Sequence, residues 1–492
     1  MQKSALSRSF QFVLMVIAMA ALSMAPRELS AQAASQQSSL DDETRRLAHD
    51  IFQQLIEINT TDSAGSVTAA AIAMQSRLLD AGVAKEDLYL GGPNERKQNL
   101  VARIHGSGTK RPILFIGHLD VVEARREDWT SDPFKFVEKD GYYYGRGTQD
   151  MKGSDAILVT TFIRLKQQGY KPNRDLILAL TADEEGGKSN GVDWLLKNHP
   201  DLIEAGYVVN PDGGGVDLDH RKAVSMDVDA TEKLYGDYQF TVTNKGGHSS
   251  LPVADNAIYH LADALARLER HEFPFELNAV TRAYFERMST RETGQKADDL
   301  KAILRTVPDK AAIARLSAAS PIWNSLMHTT CVATRFAAGH ANNALPQKAE
   351  AVVNCRILPG HSREEIRQEL IAIVADPEVT VRFVNNAGGV SDTAPLNKQM
   401  PPAQLDRELM AAMDKLTEKY WPGAPVIPTM ATGASDGIYT SAAGMPTYGV
   451  SGIALETNDV RAHGRDERLP VESFYRGVDF YYELVKALTA GN

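Results

Sequence analysis

Ile113-Leu-Phe-Ile-Gly-His118-Leu-Asp120 is an apolar run of strand length that ends on a histidine and, two residues later, an aspartate. Consecutive apolar positions read as a strand buried on both faces, the pattern of a parallel sheet. Open α/β sheets place their ligand sites beyond the carboxyl ends of such strands, so His118 stands where a functional imidazole is expected. Three further strand ends or loops carry acids in the same way. Asp150 lies in Gly145-Arg-Gly-Thr-Gln-Asp150-Met-Lys-Gly153, Glu184 and Glu185 close the run that begins at Asp175, and Asp212 follows Gly206-Tyr-Val-Val-Asn-Pro. Together they outline a metal centre.

Working outward, strand-like runs at residues 100–104, 113–117, 176–181 and 207–210 interleave with helical patterns at 156–168 and 192–199. Strands that alternate with helices predict an α/β fold with a mostly parallel sheet covered by helices on both faces. After about Val224 the character changes. Tyr238-Gln-Phe-Thr-Val-Thr243 alternates like a strand with one exposed face, and further strands and helices follow to residue 384. The expectation is a discontinuous catalytic domain, residues 40–222 and 388–492, interrupted by a smaller α+β domain over 223–387. A polar stretch without motifs, about 272–326, reads as a helical elaboration of that insert.

At 492 residues the chain exceeds the roughly 250–300 at which a single core stops growing. Residues 1–33 combine a basic start at Lys3 and Arg8, an apolar stretch over 10–22 and the small-residue site Ala31-Gln32-Ala33, the layout of a secretory signal peptide. The apolar stretch is shorter than the roughly 20 residues that span a bilayer, and nothing later is apolar for long enough. The expected protein is exported, periplasmic or secreted, with no membrane association after cleavage. Losing Lys3, Arg8, Arg27 and Glu28 takes the net charge from −10 to −12. So acidic a chain, without runs of basic residues, is not built for nucleic acid.

Cys331 and Cys355 are too few for a thiolate zinc site or a disulfide scaffold. They fall in strand-like runs on either side of Asn343, so a cross-strand disulfide and two buried thiols both remain open.

A hydrolytic metal site needs imidazole and carboxylate ligands, an open position, and a carboxylate that is not a ligand to move protons. His118, Asp150, Glu185, Asp212 and His463 are the candidate ligands, and Glu184 is the spare acid. Five ligands with one shared suit two ions, with Asp150 as the bridge. Asp120 is placed to orient the His118 imidazole.

At this point the ordered motifs resemble the dinuclear zinc exopeptidase and aminoacylase family, which includes glutamate carboxypeptidase, carboxypeptidase S, carnosinase-type dipeptidases and acetylornithine deacetylase. The residues that carry the likeness are His118-Leu-Asp120, Trp129 with Asp132-Pro-Phe134, Gly145 to Gly153, Asp183-Glu184-Glu185 and Asp212-Gly-Gly. The resemblance runs from about residue 45 to the end. It implies two zinc ions, replaceable by cobalt or manganese, bridged by Asp150 and a water or hydroxide. His118 and Asp212 would hold one ion, Glu185 and His463 the other, with Glu184 as general base.

Gly246-Gly-His248-Ser-Ser is similar to the family's motif in the inserted domain, whose histidine reaches a neighbouring subunit's site. That implies a homodimer formed through the insert. Asn343-Ala-Leu-Pro346 and Arg356 match residues the family uses to hold substrate, including its carboxylate. His463-Gly-Arg-Asp-Glu467 departs from the usual His-Gly-Pro-Asn-Glu, Asn343-Ala-Leu-Pro from Asn-Val-Ile-Pro, and Asp212 fills a place where many members have glutamate. None of these removes a ligand. The long 272–326 stretch looks most like the carboxypeptidase S branch, implying a metallocarboxypeptidase or aminoacylase that cleaves an amide beside a free carboxylate in short peptides or N-acyl amino acids. A deacylase of the acetylornithine or succinyl-diaminopimelate type is the alternative.

Other chemistries fit less well. Gly187-Lys-Ser189-Asn-Gly191 and Gly433-Ala-Ser435-Asp-Gly437 match a serine-hydrolase elbow, but in the first three acids occupy the strand-to-helix turn the serine would need. In the second, too little chain follows to complete a sheet. Gly186-Gly-Lys188-Ser189 lacks the first glycine of a phosphate loop. His271-Glu272 has no second histidine at the spacing of a single-zinc protease. A metal-dead binding module would have lost a ligand, and none is missing.

Overall fold

The Ile113–His118 strand lies inside a ten-stranded mixed sheet, and its side chains divide between two cores. Ile113 and Phe115 face long helices that include Asp42–Glu57, Lys152–Gln167 and Val471–Thr489, while Leu114 and Ile116 face the short helices Gly191–Asn198 and Pro200–Ile203. Helices on both faces explain why the strand is apolar at every position rather than at every second one. The computed structural model describes residues 40–186, 188–385, 388–396 and 405–490. The signal segment expected over 1–33 lies outside the described residues, and no helix among them is long and apolar enough to cross a membrane.

Four neighbouring strands in the sheet, Leu176–Thr181, Ile113–His118, Tyr207–Asn210 and Thr447–Gly449, run parallel. Parallel strands end on the same sheet edge. The segments that follow the first three therefore bring His118, Glu184 with Glu185, and Asp212 to one rim. Antiparallel pairs flank this centre, Lys97–Ile104 beside Leu176–Thr181 on one side and Lys222–Glu232 beside Gly215–Asp219 on the other.

A second, five-stranded antiparallel sheet carries its own core, with Tyr238, Phe240, Val353 and Cys355 packed under the helices Ala257–Glu269 and Arg363–Val374. Its first strand, Leu234–Thr243, buries alternate residues against those helices. Cys331 and Cys355 stand directly opposite in neighbouring antiparallel strands and are joined as a disulfide. A cross-link that closes a loop of this length contributes about 3 kcal/mol.

The division between the two sheets differs from the expected boundaries. Residues 223–232, expected in the insert, belong to the large sheet, where Lys222–Glu232 pairs in parallel with Val426–Ala431. Val390–Ser391, placed with the catalytic domain, adds to the edge of the small sheet. The elaboration over 272–326 is four helices, Ala279–Arg291, Gly294–Ile303, Lys310–Ala319 and Pro321–Met327. Their core of Phe285, Leu300, Leu316 and Leu326 also includes Met430 of the large sheet, so they are anchored to both parts.

Candidate metal centre

Asp150 stands between two histidines. Its Oδ1 is 3.0 Å from His118 Nε2 and its Oδ2 is 3.0 Å from His463 Nε2. His118 Nε2 also lies 3.7 Å from Asp212 Oδ1, and His463 Nε2 lies 3.0 Å from Glu185 Oε1. Ligand atoms bonded at roughly 2.0 Å to one tetrahedral ion are separated by about 3.3 Å, so these spacings fit two adjacent cation sites that share Asp150. The atoms of His118, Asp150 and Glu185 that could bind a metal all lie within 4.8 Å of one another.

Charge balance agrees with this geometry. Hydrogen bonds to Asp150 and Glu185 raise the His463 imidazole to about 10, against the opposing effect of burial. Burial also disfavours a charged His118, but Asp150 and Asp212 outweigh it and hold its pKa well above the ordinary histidine value. Burial opposes ionisation of Asp150, yet the two histidines keep its carboxyl far below the usual range. The acids around both histidines thus favour positive charge there, and a donor set of two imidazoles and three carboxylates fits a zinc-type cation.

Glu184 sits in the same cavity, of about 280 Å³, whose lining also includes Asp150, Glu185, Asp212 and His463. Burial pushes its carboxyl well above the ordinary range; the His118 charge opposes this, while Asp212, Asp436 and Glu185 add to it. An acid that takes up a proton readily beside a cation site is suited to general base work.

Asp120 acts differently from the expectation that its side chain orients His118. Its backbone oxygen accepts from His118 Nδ1 at 3.0 Å, while the nearer carboxylate contact to that nitrogen is 3.8 Å. The carboxylate instead accepts from the N–H groups of Glu184 at 3.2 Å and Glu185 at 3.0 Å. The side chain is used by the Glu184–Glu185 turn, leaving the carbonyl to fix the imidazole. Asp183, the preceding residue, has φ +64° and is held by an ion pair with Lys97. Side chains other than glycine rarely adopt that backbone region, and such strain concentrates at functional sites.

The loop bearing Asp150 is fastened to the one bearing His463 by Glu467, which is fully buried. Its carboxylate accepts from Arg146 Nη1 at 2.6 Å and from the N–H groups of Gly147, Gln149 and Asp150 at 3.0, 2.7 and 3.1 Å. Gly147 has φ +91°, and a Cβ there would meet Val121 at 2.9 Å, so only glycine lets the loop close this tightly. Asp436, also buried, lies behind Glu184 and takes hydrogen bonds from Asn190 and Thr181. Burial raises it to about 6. Glu467 and Asp436 lie within the His463–Glu467 and Gly433–Gly437 motifs, but nothing in those motifs marks the hydrogen bonds they make.

His248, Asn343 and Arg356 are outside this cavity. His248 is exposed and pairs with Ala344 in a two-stranded ribbon, where the Asn343 carbonyl accepts from Ser249 N–H at 3.1 Å. Its Nδ1 lies 2.7 Å from Ser250 Oγ. Arg356 lies on the Lys348–Ile357 strand of the small sheet with its guanidinium 4.8 Å from the centre of the Tyr235 ring. The serine-elbow alternative gains nothing. Ser435 Oγ accepts from Asn210 Nδ2 and Gly437 N–H, and among the described residues no histidine bonds to it. Gly187, of the other elbow, lies outside the described residues.

Comparison with known proteins gives the same direction. The model for peptidase family M20/M25/M40 matches residues 114–487. A probable carboxypeptidase S-like 2 of Dictyostelium discoideum is 30% identical over 389 residues, covering 76% of this chain and 71% of that protein. The N-fatty-acyl-amino acid synthase/hydrolase PM20D1 of Xenopus tropicalis is 28% identical over 384 residues, 76% of this chain and 72% of its own. Among solved structures, the M20 family metallo-carboxypeptidase Sso-CP2 of Sulfolobus solfataricus aligns with a TM-score of 0.64 at 18% identity, covering 91% of this chain and 99% of that one, a likeness of fold. The match spans most of the sheet and the loops that converge on Asp150, and on that ground the chain belongs to peptidase family M20/M25/M40 and is a metallohydrolase.

Proposed function

We propose that the protein is an exported, two-zinc hydrolase that cuts an amide bond next to a free carboxylate, acting on short peptides or N-acyl amino acids. The observation that carries this reading is the Asp150 carboxylate with one oxygen 3.0 Å from each of His118 and His463. His118 and Asp212 would hold one ion, Glu185 and His463 the other. Bound there, the ions supply Lewis acidity, which acidifies water and polarises a carbonyl.

The remaining work belongs to the side chains. Glu184 takes the proton of the attacking water and passes it to the leaving amine, so that one carboxylate serves both halves of the hydrolysis. His248 of the partner subunit donates to the carbonyl oxygen as negative charge develops there. Asn343 and Arg356 lie, like His248, outside their own chain's cavity, and in the dimer they hold the substrate carboxylate, so a free acid next to the cut bond should be required. The cavity, about 280 Å³ in the single chain, carries polar groups such as Asn210, Thr231 and Ser435 that can hold an amide substrate. The disulfide between Cys331 and Cys355 supports export, since such bonds persist in oxidising compartments.

A panel of N-acyl amino acids and dipeptides, assayed with and without chelator, tests the reading. Hydrolysis should be confined to substrates with a free carboxylate, vanish with chelator and return with zinc. Hydrolysis that survives chelation, or is equally fast on carboxyl-amidated substrates, would overturn it.

A further inference from the structure

Gln149 precedes Asp150, and its side chain reaches across to the loop that carries His463. An amide offers two donor hydrogens and one oxygen that accepts twice. Here all four are in use. Oε1 accepts from Arg461 N–H at 2.7 Å and Ala462 N–H at 3.0 Å. Nε2 donates to the carbonyls of Arg468 at 2.7 Å and Asp459 at 3.3 Å. These partners bracket His463 on both sides.

Glu467, on the His463 segment, also joins the two loops: it accepts from Arg146 and from backbone N–H groups on the Asp150 side, and Arg146 in turn donates to the Gly464 carbonyl at 2.9 Å. Gln149 holds backbone on the His463 side. His463 is itself in the left-handed region, φ +62°, and more exposed than His118. Arg146 Nη2 holds the Gly464 carbonyl just after it at 2.9 Å, while Gln149 grips Arg461 and Ala462 just before it, the side from which its reach toward Asp150 and Glu185 is set. Serine or alanine at 149 could not span the gap. Glutamate would turn a carboxylate oxygen toward two carbonyls.

We propose that Gln149 is a positioning residue that sets the separation of His463 from Asp150 and thereby governs the affinity of the second cation, the one shared by Asp150, Glu185 and His463. The proposal rests on the two-ion reading above. It concerns the second ion: the first, between His118 and Asp212, shares with it only Asp150, whose N–H stays bonded to Glu467 when the amide is lost.

Zinc binding to the full mature chain, followed by calorimetry and by metal content after dialysis, tests it. The wild type should take up two ions. Gln149→Met keeps the volume and removes all four bonds; water can reach the exposed Ala462 loop, so the fold should survive. This variant should hold the first ion within about twofold and the second about 10- to 100-fold more weakly, the usual effect of losing a group that orients a ligand. Gln149→Glu, which keeps the two accepted bonds, should weaken the same ion and serves if the methionine variant does not fold. Adding Gln149→Met to His463→Ala should leave the remaining ion unchanged.

Two ions bound as tightly in both variants as in the wild type would overturn the proposal while leaving the two-ion reading intact. So would parallel weakening of both ions. A wild-type chain that takes up no second ion would sink both.

Discussion

Glu184 is partly buried and faces Asp212, Asp436 and Glu185, a setting that makes it a ready proton acceptor once cations occupy the neighbouring ligands. Its backbone N–H donates to Asp120, which fixes the turn that presents the carboxylate to the cavity. Glu184→Gln removes the basic oxygen at almost constant shape. Turnover should fall by about 10²–10⁴-fold with two ions still bound, measured as kcat alongside metal content. A glutamine variant that turns over at the wild-type rate would remove Glu184 from the chemistry. At this scale the candidate ligands were legible because each ends an apolar run or sits in an ordered motif. Gln149, Glu467 and Asp436 were not, because their partners lie hundreds of residues away or on another strand, and nothing local marks a side chain that bonds to distant backbone.

The elements show a similar split. The strands at 113–118, 176–181 and 207–210 could be read from continuous apolarity, which follows from burial on both faces. Lys222–Glu232 could not. It carries Asp227, Asp229 and Glu232, of which the last two line the cavity, so it resembles a half-exposed strand although it sits in the large sheet. In the small domain the helix Arg363–Val374 is set by local chemistry. Ser362 and Glu365 form a capping box, and Glu364 in the first turn makes two 2.8 Å bonds with Arg367 and accepts from Ala394 N–H at 2.7 Å. Arg367, chiefly through these hydrogen bonds, lowers the Glu364 carboxyl to about 2 from the ordinary 4.5. Because the folded value is the lower one, this interaction stabilises fully above about pH 4.5 and is lost as the pH falls through 2. Urea unfolding of wild type and Glu364→Gln should therefore differ most above pH 5 and converge toward pH 2; a gap that widens on acidification would contradict the assignment.

At the scale of the whole molecule, the small domain presents an open sheet edge. Thr330–Ala338 lies at the edge of its sheet, with Val332 60% and Phe336 52% exposed, and Leu251 beside the His248 ribbon is 72% exposed. An apolar open edge is a hazard in a lone chain and a natural two-fold contact for a second copy. His248 lies outside its own chain's cavity, and the proposed dimer gives it a carbonyl to polarise in the partner. The consequence can be tested by complementation. Glu184→Gln subunits lack the base but present His248; His248→Ala subunits have the base but no histidine to lend. Each should be nearly inactive alone. A mixed dimer would contain one complete site, built from the glutamate of one chain and the histidine of the other, and one site lacking both. Random exchange at equal amounts makes half of the dimers mixed, so about a quarter of the wild-type sites should be restored. Activity that stays at the level of the separate variants, in dimers shown to have exchanged subunits, would mean that each chain completes its own site.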